Sequence, residues 1–421
     1  MRFKAAIAVL FVASCAGADW PRFRGPNGSG IANDENVPTT WGARENIVWK
    51  TRLPGFGSSS PITLGDKIFL TCYSGYGLDP EEPGDQKKLL LRVLCIDRAT
   101  GKFIWNNAVE PRLPETEYEG ARVNLHGYAS ATPVTDGDAV YAFFGKSGML
   151  KYSLDGKLLW QAYVGSEVDK HNWGSGASPI LHKNLVIVNA SVESQSIRAL
   201  DKATGEEVWR VEEIIDSWST PLVVSPADGG EELIVVERFR VLGLDPATGK
   251  KLWFCNKASD YVCPSIIAHN DIAYVINSRS KPLLLAIRTG GRGDITDSHV
   301  LWKTKWTTRV STPVYYDGYL YGMDNLGRAH CLKADTGEEV YRERLKIRGS
   351  GDKIYASVVA VAGKIYGVTR RDGTVVLALS PNFQELARNH LDDESVFNAT
   401  PVVTEGRLLL RSDKFLYCIG N

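Results

Sequence analysis

A short motif recurs along this chain at intervals of 40 to 58 residues and constrains its fold more than any other feature. The clearest copy runs from Cys95 to Trp105, and a close match runs from Ala199 to Trp209. The clearest copies start with a small residue, pass through a Thr-Gly pair and end on an aromatic ring, whereas the seventh copy has Ala387 in place of the ring. Self-similarity at this period is typical of repeat proteins, in which every copy is one supersecondary unit that packs on the next.

The first position of the motif carries a small residue in every copy that we align. These positions are Cys95, Ser153, Ala199, Gly243, Ala286, Cys331, Ala378 and Cys418. A position restricted by volume indicates packing, so we expect the three cysteines among them to be buried rather than disulfide-bonded. The pairs Cys72–Cys95 and Cys255–Cys263 remain open as disulfide candidates.

Three runs with the alternation of β-strands precede each motif. In the second repeat they lie at 131–135, 139–144 and 150–154, and short glycine-containing links separate them. Runs of this kind joined by tight turns are typical of antiparallel hairpins. With the aromatic residue on a fourth strand, each repeat becomes one four-stranded antiparallel blade. Eight such repeats predict an all-β, eight-bladed β-propeller.

The last repeat contains only three such runs, at 401–404, 407–411 and 415–419. Near the N-terminus, residues 46–52 form a further run that carries Trp49 and belongs to no other repeat. A strand supplied from there would complete the eighth blade and remove an open sheet edge. We therefore expect the N-terminal strand to close the ring.

The first residues have the organisation of an export signal. Arg2 and Lys4 precede a short apolar run, and Ala16-Gly17-Ala18 resembles a signal-peptidase cleavage site. The run 12–15 also resembles a lipobox, which would leave a lipid anchor at Cys15. We expect a periplasmic or extracellular protein, with anchoring to the outer membrane as the alternative. The predicted parts of the chain are a signal peptide at 1–18, an extended arm at 19–45 and the propeller at 46–421.

The charges of the chain balance, with 49 Lys and Arg residues against 49 Asp and Glu residues. Proteins that bind nucleic acid depend on a positive field that neutralises phosphates. This chain has no such excess, so we expect no nucleic-acid partner. Beyond the export signal, no segment approaches the roughly 18 apolar residues of a membrane-spanning helix, and no transmembrane segment is expected.

The motif from Ala199 to Trp209 resembles the repeat of the pyrroloquinoline quinone (PQQ)-like β-propellers, the quinoprotein alcohol dehydrogenase-like family. The likeness covers roughly residues 46–421. Segments 19–30 and 290–302 are similar to the BamB-like members found in planctomycete-type bacteria. The resemblance implies one of two roles. The first is a BamB-like protein that binds partners in the cell envelope, and the second is a dehydrogenase that holds PQQ with calcium.

Several features that the resemblance associates with catalysis are missing from the sequence. Quinoprotein dehydrogenases often carry a disulfide between adjacent cysteines, and this chain has no adjacent cysteine pair. It also lacks a Cys-x-x-Cys-His motif, so no covalently attached haem is indicated. We therefore expect no cofactor and a non-catalytic binding or scaffold role, with a protein or polysaccharide partner. The alternative is a PQQ- or metal-dependent oxidoreductase.

The segments just before the innermost strands are expected to surround one mouth of the central channel. Their aromatic, His, Arg and Asn side chains suit a polar ligand with flat apolar faces, such as a sugar or a peptide loop. The candidate ligand-binding residues are His126, Tyr128, His171, Asn172, Trp173, Trp218, Tyr261, Trp306, Arg309, Tyr355 and Asn398. The alternative is that these rings only wedge between blades. Two histidines without a third ligand are too few for a metal site.

Overall fold

The structure is a computed structural model, and it describes residues 19–118, 122–258, 260–277, 283–306 and 308–421. The predicted signal peptide and the lipobox with Cys15 lie outside these residues. The described chain folds into eight sheets, each built on four antiparallel strands. This confirms the predicted eight-bladed propeller. Within the described ranges, none of the helices has the length and apolar character that a membrane crossing requires.

Blades 1 to 4 each take four consecutive strands, in order from the channel outwards. Blade 1 contains Ile62–Leu64, Lys67–Ser74, Leu90–Asp97 and Phe103–Val109, and blade 2 contains Val134–Thr135, Ala139–Phe143, Met149–Ser153 and Leu158–Ala162. Blade 3 contains Ile180–His182, Leu185–Ala190, Ser196–Asp201 and Glu207–Glu212, and blade 4 contains Leu222–Val224, Glu232–Val236, Val241–Leu244 and Lys251–Cys255. A short strand, Gly293–Asp294, adds to the outer edge of blade 4 in parallel.

Blades 5 to 7 follow the same order, and blade 8 combines the two ends of the propeller. Blade 5 contains Ile267–His269, Ile272–Asn277, Leu283–Arg288 and Val300–Thr304, and blade 6 contains Val314–Tyr316, Tyr319–Met323, Arg328–Lys333 and Glu339–Arg344. Blade 7 contains Val359–Val361, Lys364–Val368, Thr374–Ala378 and Glu385–Asn389, and blade 8 contains Val402–Thr404, Arg407–Arg411, Phe415–Ile419 and Ile47–Arg52. The helical segments are short: one α-turn, Ser191–Ser194, and the 3-10 turns Gln86–Lys88, Arg122–Leu125 and Gly145–Ser147.

The N-terminal strand closes the ring, as the sequence predicts. Ile47–Arg52 pairs antiparallel with Phe415–Ile419, and Trp49 lies opposite Cys418. Blade 8 thereby gains the fourth strand that its own repeat lacks. The first and last strands of the propeller are therefore joined by backbone hydrogen bonds, and unfolding of either end would expose the edge of the other.

The aromatic residue of the outermost strand docks on the following blade. Five indole N–H groups donate to a backbone carbonyl in the turn of the next blade, over 3.0 to 3.2 Å. The donor and acceptor pairs are Trp49–Arg98, Trp105–Leu154, Trp160–Lys202, Trp209–Pro246 and Trp302–Ala334. Each ring thus buries a large apolar area between blades while its one polar atom keeps a partner.

The strand register corrects the predicted alignment in blade 2. Lys151, and not Ser153, lies opposite Trp160. The expectation of a small residue at every such position is therefore wrong here. A long side chain fits because the Lys151 ammonium group reaches the carbonyl oxygen of Lys202 in the next blade, at 2.8 Å. Its aliphatic stem covers the seam while its charge stays hydrogen-bonded.

Blade 7 departs from the predicted alignment in the same way and has no docking ring of its own. Val376, and not Ala378, lies opposite Ala387 on the outermost strand. On its other side, Val376 lies opposite Tyr366, so the three residues form one row across the sheet. The N-terminal arm places Trp41 against the row, and the rings of Trp41 and Tyr366 stack with their centroids 6.2 Å apart. Trp41 is 4% exposed. The arm therefore supplies the aromatic ring that the blade 7 motif lacks.

All six cysteines of the described residues are free. Cys95, Cys331 and Cys418 are fully buried on strands, which confirms their expected packing role. Neither open pair forms a disulfide. In blade 1, Cys72 lies opposite Arg92 in the sheet register and not opposite Cys95.

The N-terminal arm crosses the channel at the end away from the starts of the inner strands. The backbone of Trp20 pairs with Thr63 in blade 1, and Ile31 forms a parallel bridge with Ala360 in blade 7. Between these points the arm inserts Arg24, whose guanidinium donates to the Pro313 carbonyl of blade 6 at 2.6 Å. The arm therefore turns the channel into a well that is open at one end.

Candidate functional site

Eight hydroxyl side chains, one from each blade, form a closed ring around the channel. Each lies two residues before an innermost strand, and its backbone N–H donates to the hydroxyl oxygen of the next member over 2.9 to 3.4 Å. The members, called here the hydroxyl collar, are Ser60, Thr132, Ser178, Thr220, Ser265, Thr312, Ser357 and Thr400. Because the last bond returns from Thr400 to Ser60, the hydroxyl collar links every blade to its neighbours.

The hydroxyl collar lines a pocket of about 190 Å³, called here the mouth pocket. All eight collar residues face it, together with Phe23 of the N-terminal arm. Since the arm crosses the channel below the collar, Phe23 forms the floor. A ligand can therefore enter the mouth pocket from one side only.

Blades 3 to 5 contribute an aromatic wall made of Trp173, Trp218 and Tyr261. The ring centroids of Trp173 and Trp218 lie 4.8 Å apart, and Tyr261 meets Trp173 edge-on at 4.4 Å. The Trp218 indole donates to the Gly174 carbonyl at 2.7 Å, which fixes its orientation. The Arg122 guanidinium lies 5.6 Å over the Trp173 ring as a cation–π contact. This side of the pocket is flat and apolar, with a positive charge at its rim.

Blades 6 to 8 contribute a polar wall. The Asp352 carboxylate accepts from Arg309 at 2.7 Å and from the Tyr355 hydroxyl at 3.1 Å. The Arg370 guanidinium lies 4.4 Å over the Tyr355 ring and donates to the Asn398 side-chain oxygen at 3.0 Å. These bonds hold the polar groups in fixed positions. The pocket therefore presents an apolar side and a hydrogen-bonding side to a single ligand.

His126 lies at the edge of the mouth pocket, where its Nδ1 is 2.5 Å from the Ser130 hydroxyl. Burial lowers the pKa of His126 to about 4. The imidazole is therefore neutral at neutral pH, and it contributes hydrogen bonding to the pocket but no charge.

Seven of the eleven candidate binding residues line the mouth pocket. They are His126, Trp173, Trp218, Tyr261, Arg309, Tyr355 and Asn398. His171 lies behind the aromatic wall, with its ring centroid 5.2 Å from that of Trp173. Asn172 is a turn residue with a φ of 54°, in the left-handed region that asparagine tolerates.

The remaining two candidates pack between other side chains and do not line the pocket. Tyr128 meets Tyr73 edge-on at 5.3 Å and donates its hydroxyl to the Thr116 carbonyl at 2.6 Å. Trp306 is 1% exposed and stacks on His330 at 4.8 Å. Both rings fill the interior of the blades, which is the arrangement that the wedge alternative describes.

A family sequence model described as "Outer membrane protein assembly factor BamB" matches residues 90–292. Among solved structures, BamB from Moraxella catarrhalis matches with a TM-score of 0.60 at 15% identity, covering 88% of this chain and 96% of that chain. The match, the docking motif and the eight-bladed ring agree. Residues 90–292 are similar in sequence to this family, and the ring as a whole is similar in fold to BamB.

Two further solved structures match over most of their length. The computationally designed protein Ika8 has a TM-score of 0.57 at 12% identity and covers 87% of this chain and 98% of its own. Quinohemoprotein alcohol dehydrogenase from Comamonas testosteroni has a TM-score of 0.49 at 13% identity, covering 97% of this chain and 81% of its own. No curated protein matches the sequence significantly. Likenesses at these identities show the fold alone.

The lining of the mouth pocket does not fit PQQ held by calcium. Calcium takes six to eight oxygen ligands, chiefly carboxylates and carbonyls. Asp352 is the single carboxylate in the described lining, and its two oxygens are engaged by Arg309, Tyr355 and Asn325. Nor do the described residues bring together three His, Cys, Asp or Glu side chains placed to hold a metal. The donor set is therefore wrong for a calcium–quinone site.

The sequence did not reveal the hydroxyl collar as a set. Its signal is a Ser or Thr two residues before every inner strand, and six of the eight are followed by proline. Read one repeat at a time, each hydroxyl resembles an ordinary strand start. Phe23 and Arg122 were missed because the arm and a 3-10 turn carry them, outside the repeat.

Proposed function

We propose that this propeller is an exported, non-catalytic binding or scaffold protein of the cell envelope, which holds an envelope protein or polysaccharide at the mouth pocket. The observation that carries the proposal is the pairing of an aromatic wall with a polar wall above a closed floor. Concave sites that combine flat apolar surfaces with a few oriented polar groups are typical of ligand-binding pockets.

The pocket needs little rearrangement to bind. The Trp218 indole, the Asp352 carboxylate and the Asn398 side chain are each held by hydrogen bonds to the protein. The hydroxyl collar ties the blades together immediately below them. Binding to a preorganised surface loses less conformational entropy than binding to mobile loops, so this arrangement supports recognition of a defined ligand.

The cell-envelope location rests on two observations. The N-terminal residues read as an export signal, with cleavage at 18 or a lipid anchor at Cys15 as the two outcomes. The matching family carries the name of an outer-membrane assembly factor. Mass spectrometry of the mature N-terminus distinguishes the cleaved form from the lipidated form.

The test of the proposal is capture of a partner that depends on the aromatic wall. The purified mature protein is used in a pull-down from cell-envelope extract and on a glycan array, beside the double variant Trp173→Ala, Trp218→Ala. We expect the double variant to lose at least tenfold in binding, since stacking of a flat group on an aromatic side chain contributes on the order of 1–3 kcal/mol where it has been measured for bases. The control is Tyr163→Ala, an exposed aromatic that does not line the pocket.

Two results count against the proposal. One is partner capture that the double variant retains in full. The other is enzymatic: a stoichiometric quinone absorbance with reduction of an electron-accepting dye, after incubation of the protein with PQQ and calcium, would establish the oxidoreductase alternative instead.

A further inference from the structure

Arg24 places a buried positive charge directly beneath the hydroxyl collar. The residue is 1% exposed, and its guanidinium donates to the carbonyl oxygens of collar residue Thr312 at 3.2 Å and of Pro313 at 2.6 Å. Its other acceptors are also backbone carbonyls. Within the described residues it has no carboxylate partner. Burial lowers the pKa of Arg24 to about 9, so the group is still charged at neutral pH.

A buried charge without a counter-ion is unfavourable, because carbonyl dipoles replace water only in part. The mouth pocket is an adjoining open volume that could hold a compensating anion, since Thr312 both accepts from Arg24 and lines that pocket. The field of Arg24 therefore favours negative charge at the bottom of the well.

The hydroxyl collar adds hydrogen-bond donors at the same level. Each collar oxygen accepts a backbone N–H, and among the described residues no collar hydroxyl donates its own proton to a protein atom. An N–H bond to a hydroxyl oxygen polarises it and strengthens the bond that it donates. Eight such protons around a closed well suit a ligand group that only accepts hydrogen bonds.

The rim of the mouth pocket is positively charged, like Arg24 beneath the collar. Arg122 and Arg309 line it, and Arg370 lies behind Asn398. Asp352, the one carboxylate among the described lining residues, is already paired with Arg309 at 2.7 Å. The charges of the described residues therefore leave the pocket with an excess of positive charge, although the chain as a whole is neutral.

We infer that the well beneath the mouth binds an oxyanion, the carboxylate or sulfate group of an acidic saccharide, with the sugar ring against the aromatic wall. This inference rests on the proposed function and names the ligand class for the same site. A closed floor at Phe23 admits the end of a chain or a side group rather than a chain passing through.

A saccharide is favoured over a peptide by the backbone around the collar. Peptides commonly bind by adding a strand, which requires free backbone N–H groups. Six of the eight collar residues precede a proline, which has no N–H, and the collar amides are used within the ring. Hydroxyl and guanidinium groups are among the donors that remain, and they match oxyanions and sugar hydroxyls.

The experiment compares charged and neutral ligands of one shape by isothermal titration calorimetry. The probes are a galacturonic acid trimer and the neutral galactose trimer, with sodium sulfate as competitor. We expect the acidic trimer to bind at least tenfold more tightly than the neutral trimer, and sulfate to compete with it. Equal affinity for the two trimers, or no competition by sulfate, would overturn the inference.

Two variants locate the anion in the well. Thr220→Val removes one collar hydroxyl at constant shape and should weaken the acidic trimer three- to tenfold. Asp352→Asn removes the lining carboxylate and should tighten the acidic trimer about threefold without affecting the neutral trimer. The control is Thr374→Val, a buried threonine of blade 7 outside the pocket. If Thr220→Val does not fold, Asp352→Asn still tests the inference, because it should tighten binding of the acidic trimer. An unchanged affinity of Asp352→Asn for that trimer contradicts the inference.

The inference and the proposed function fail in different ways. If the envelope partner is captured through Trp173 and Trp218 but neither acidic trimer nor sulfate binds, the proposed function stands and the oxyanion site falls. If a peptide with a free C-terminal carboxylate competes better than the acidic trimer, the saccharide assignment is wrong. If the acidic trimer binds but the double tryptophan variant binds it equally well, the ligand lies outside the mouth pocket and the inference is overturned.

Discussion

The ring of Trp49 lies on Gly101 so closely that a Cβ added to this glycine would be 2.7 Å from the indole. The indole N–H donates to the Arg98 carbonyl in the same turn, at 3.0 Å. Gly101 also has a φ of 71°, in the left-handed region. The Thr-Gly pair of the motif therefore does two things at once. It makes the turn, and it leaves the space in which the neighbouring blade docks its aromatic ring.

Replacement of Gly101 should be more damaging than its backbone conformation alone explains. Gly101→Ala puts an alanine in the left-handed backbone region, which lowers stability by roughly 1–2 kcal/mol. Its Cβ would also clash with Trp49, which lowers stability by about a further 1–3 kcal/mol. The matched control is Gly65→Ala, where φ is 54° and a Cβ meets nothing within 4 Å. Urea unfolding should show a loss for Gly101→Ala that exceeds the control by at least 1 kcal/mol. Equal losses would mean that the docking contact does not constrain this site.

Trp41 should behave as a core residue although it belongs to the N-terminal arm. Trp41→Ala removes the ring that stacks on Tyr366, while the backbone N–H of residue 41 keeps its hydrogen bond to the Asn389 side-chain oxygen. Removal of a buried aromatic ring costs about 3–5 kcal/mol. The control Phe239→Ala, at an exposed ring, should change the free energy of unfolding by less than about 0.5 kcal/mol. A similar small effect of Trp41→Ala would show that blade 7 does not need the arm.

Glu232 should be essential to the one seam where the docking tryptophan uses a carboxylate. The Trp253 indole donates to its Oε2 at 2.7 Å, the Gly290 amide donates to the same oxygen at 3.0 Å, and Arg292 pairs with Oε1 at 3.0 Å. Glu232→Gln replaces one carboxylate oxygen by an NH2 group, which would point a donor at one of these donors. We expect the free energy of unfolding to fall by about 1–3 kcal/mol.

A double-mutant cycle with Trp253→Phe tests this assignment. The two substitutions should be non-additive by about 1 kcal/mol in the free energy of unfolding, because each removes the same hydrogen bond. Additive losses would indicate that the Trp253 N–H does not depend on Glu232.

The stability of the protein should fall as Glu193 ionises. Burial, and secondarily the charge of Asp169, raises the pKa of Glu193 to about 7, above the ordinary value of 4.5. The folded state therefore binds a proton that the unfolded state releases, so stability is full below about pH 4.5 and is lost as pH rises through 7.

Glu193→Gln isolates this effect. Between pH 5 and pH 8 the wild type should lose up to about 3 kcal/mol more of its unfolding free energy than the variant does. Comparison with the variant is needed because His126, with its pKa lowered to about 4, changes stability in the opposite direction between pH 4 and its ordinary value of 6.5. Parallel pH profiles for the two proteins would refute a raised pKa at Glu193.

The blades were predictable because their signals are local. The runs at 407–411 and 415–419 match the strands Arg407–Arg411 and Phe415–Ile419 to the residue. Alternating apolar residues bounded by tight turns define such strands without reference to the rest of the chain. The closure by Trp49 was predictable for a related reason, since a propeller with one incomplete blade has an unpaired edge.

The register in blades 2 and 7 was not predictable from the motif alone. Lys151 and Val376 occupy the row positions that were assigned to Ser153 and Ala378. Counting residues from the turn assumes that every turn has the same length and bulge. The strand pairing instead follows the hydrogen bonds of each individual blade, and a shift of two residues keeps the side chain on the same face.

The candidate site likewise has residues that were predictable from the sequence and residues that were not. Trp173, Trp218 and Tyr261 were identified because aromatic residues before inner strands are visible in each repeat. His171 and Trp306 are also ring-bearing residues that precede inner strands, but they pack against other side chains and do not line the pocket. The direction of a loop side chain depends on backbone angles and on the packing of adjacent blades, which single-repeat reasoning does not contain.

The sequence by itself determined the number of blades, the docking of their rings and the strand that closes the circle, because each depends on a local pattern repeated around the chain. Only the tertiary structure decided that the arm seals the channel, that Trp41 serves blade 7, and that eight hydroxyls from Ser60 to Thr400 form one ring. These features join residues hundreds of positions apart. They arise because closing the circle brings equivalent positions of every blade to a common axis, where packing and hydrogen bonding between blades decide what each side chain contacts.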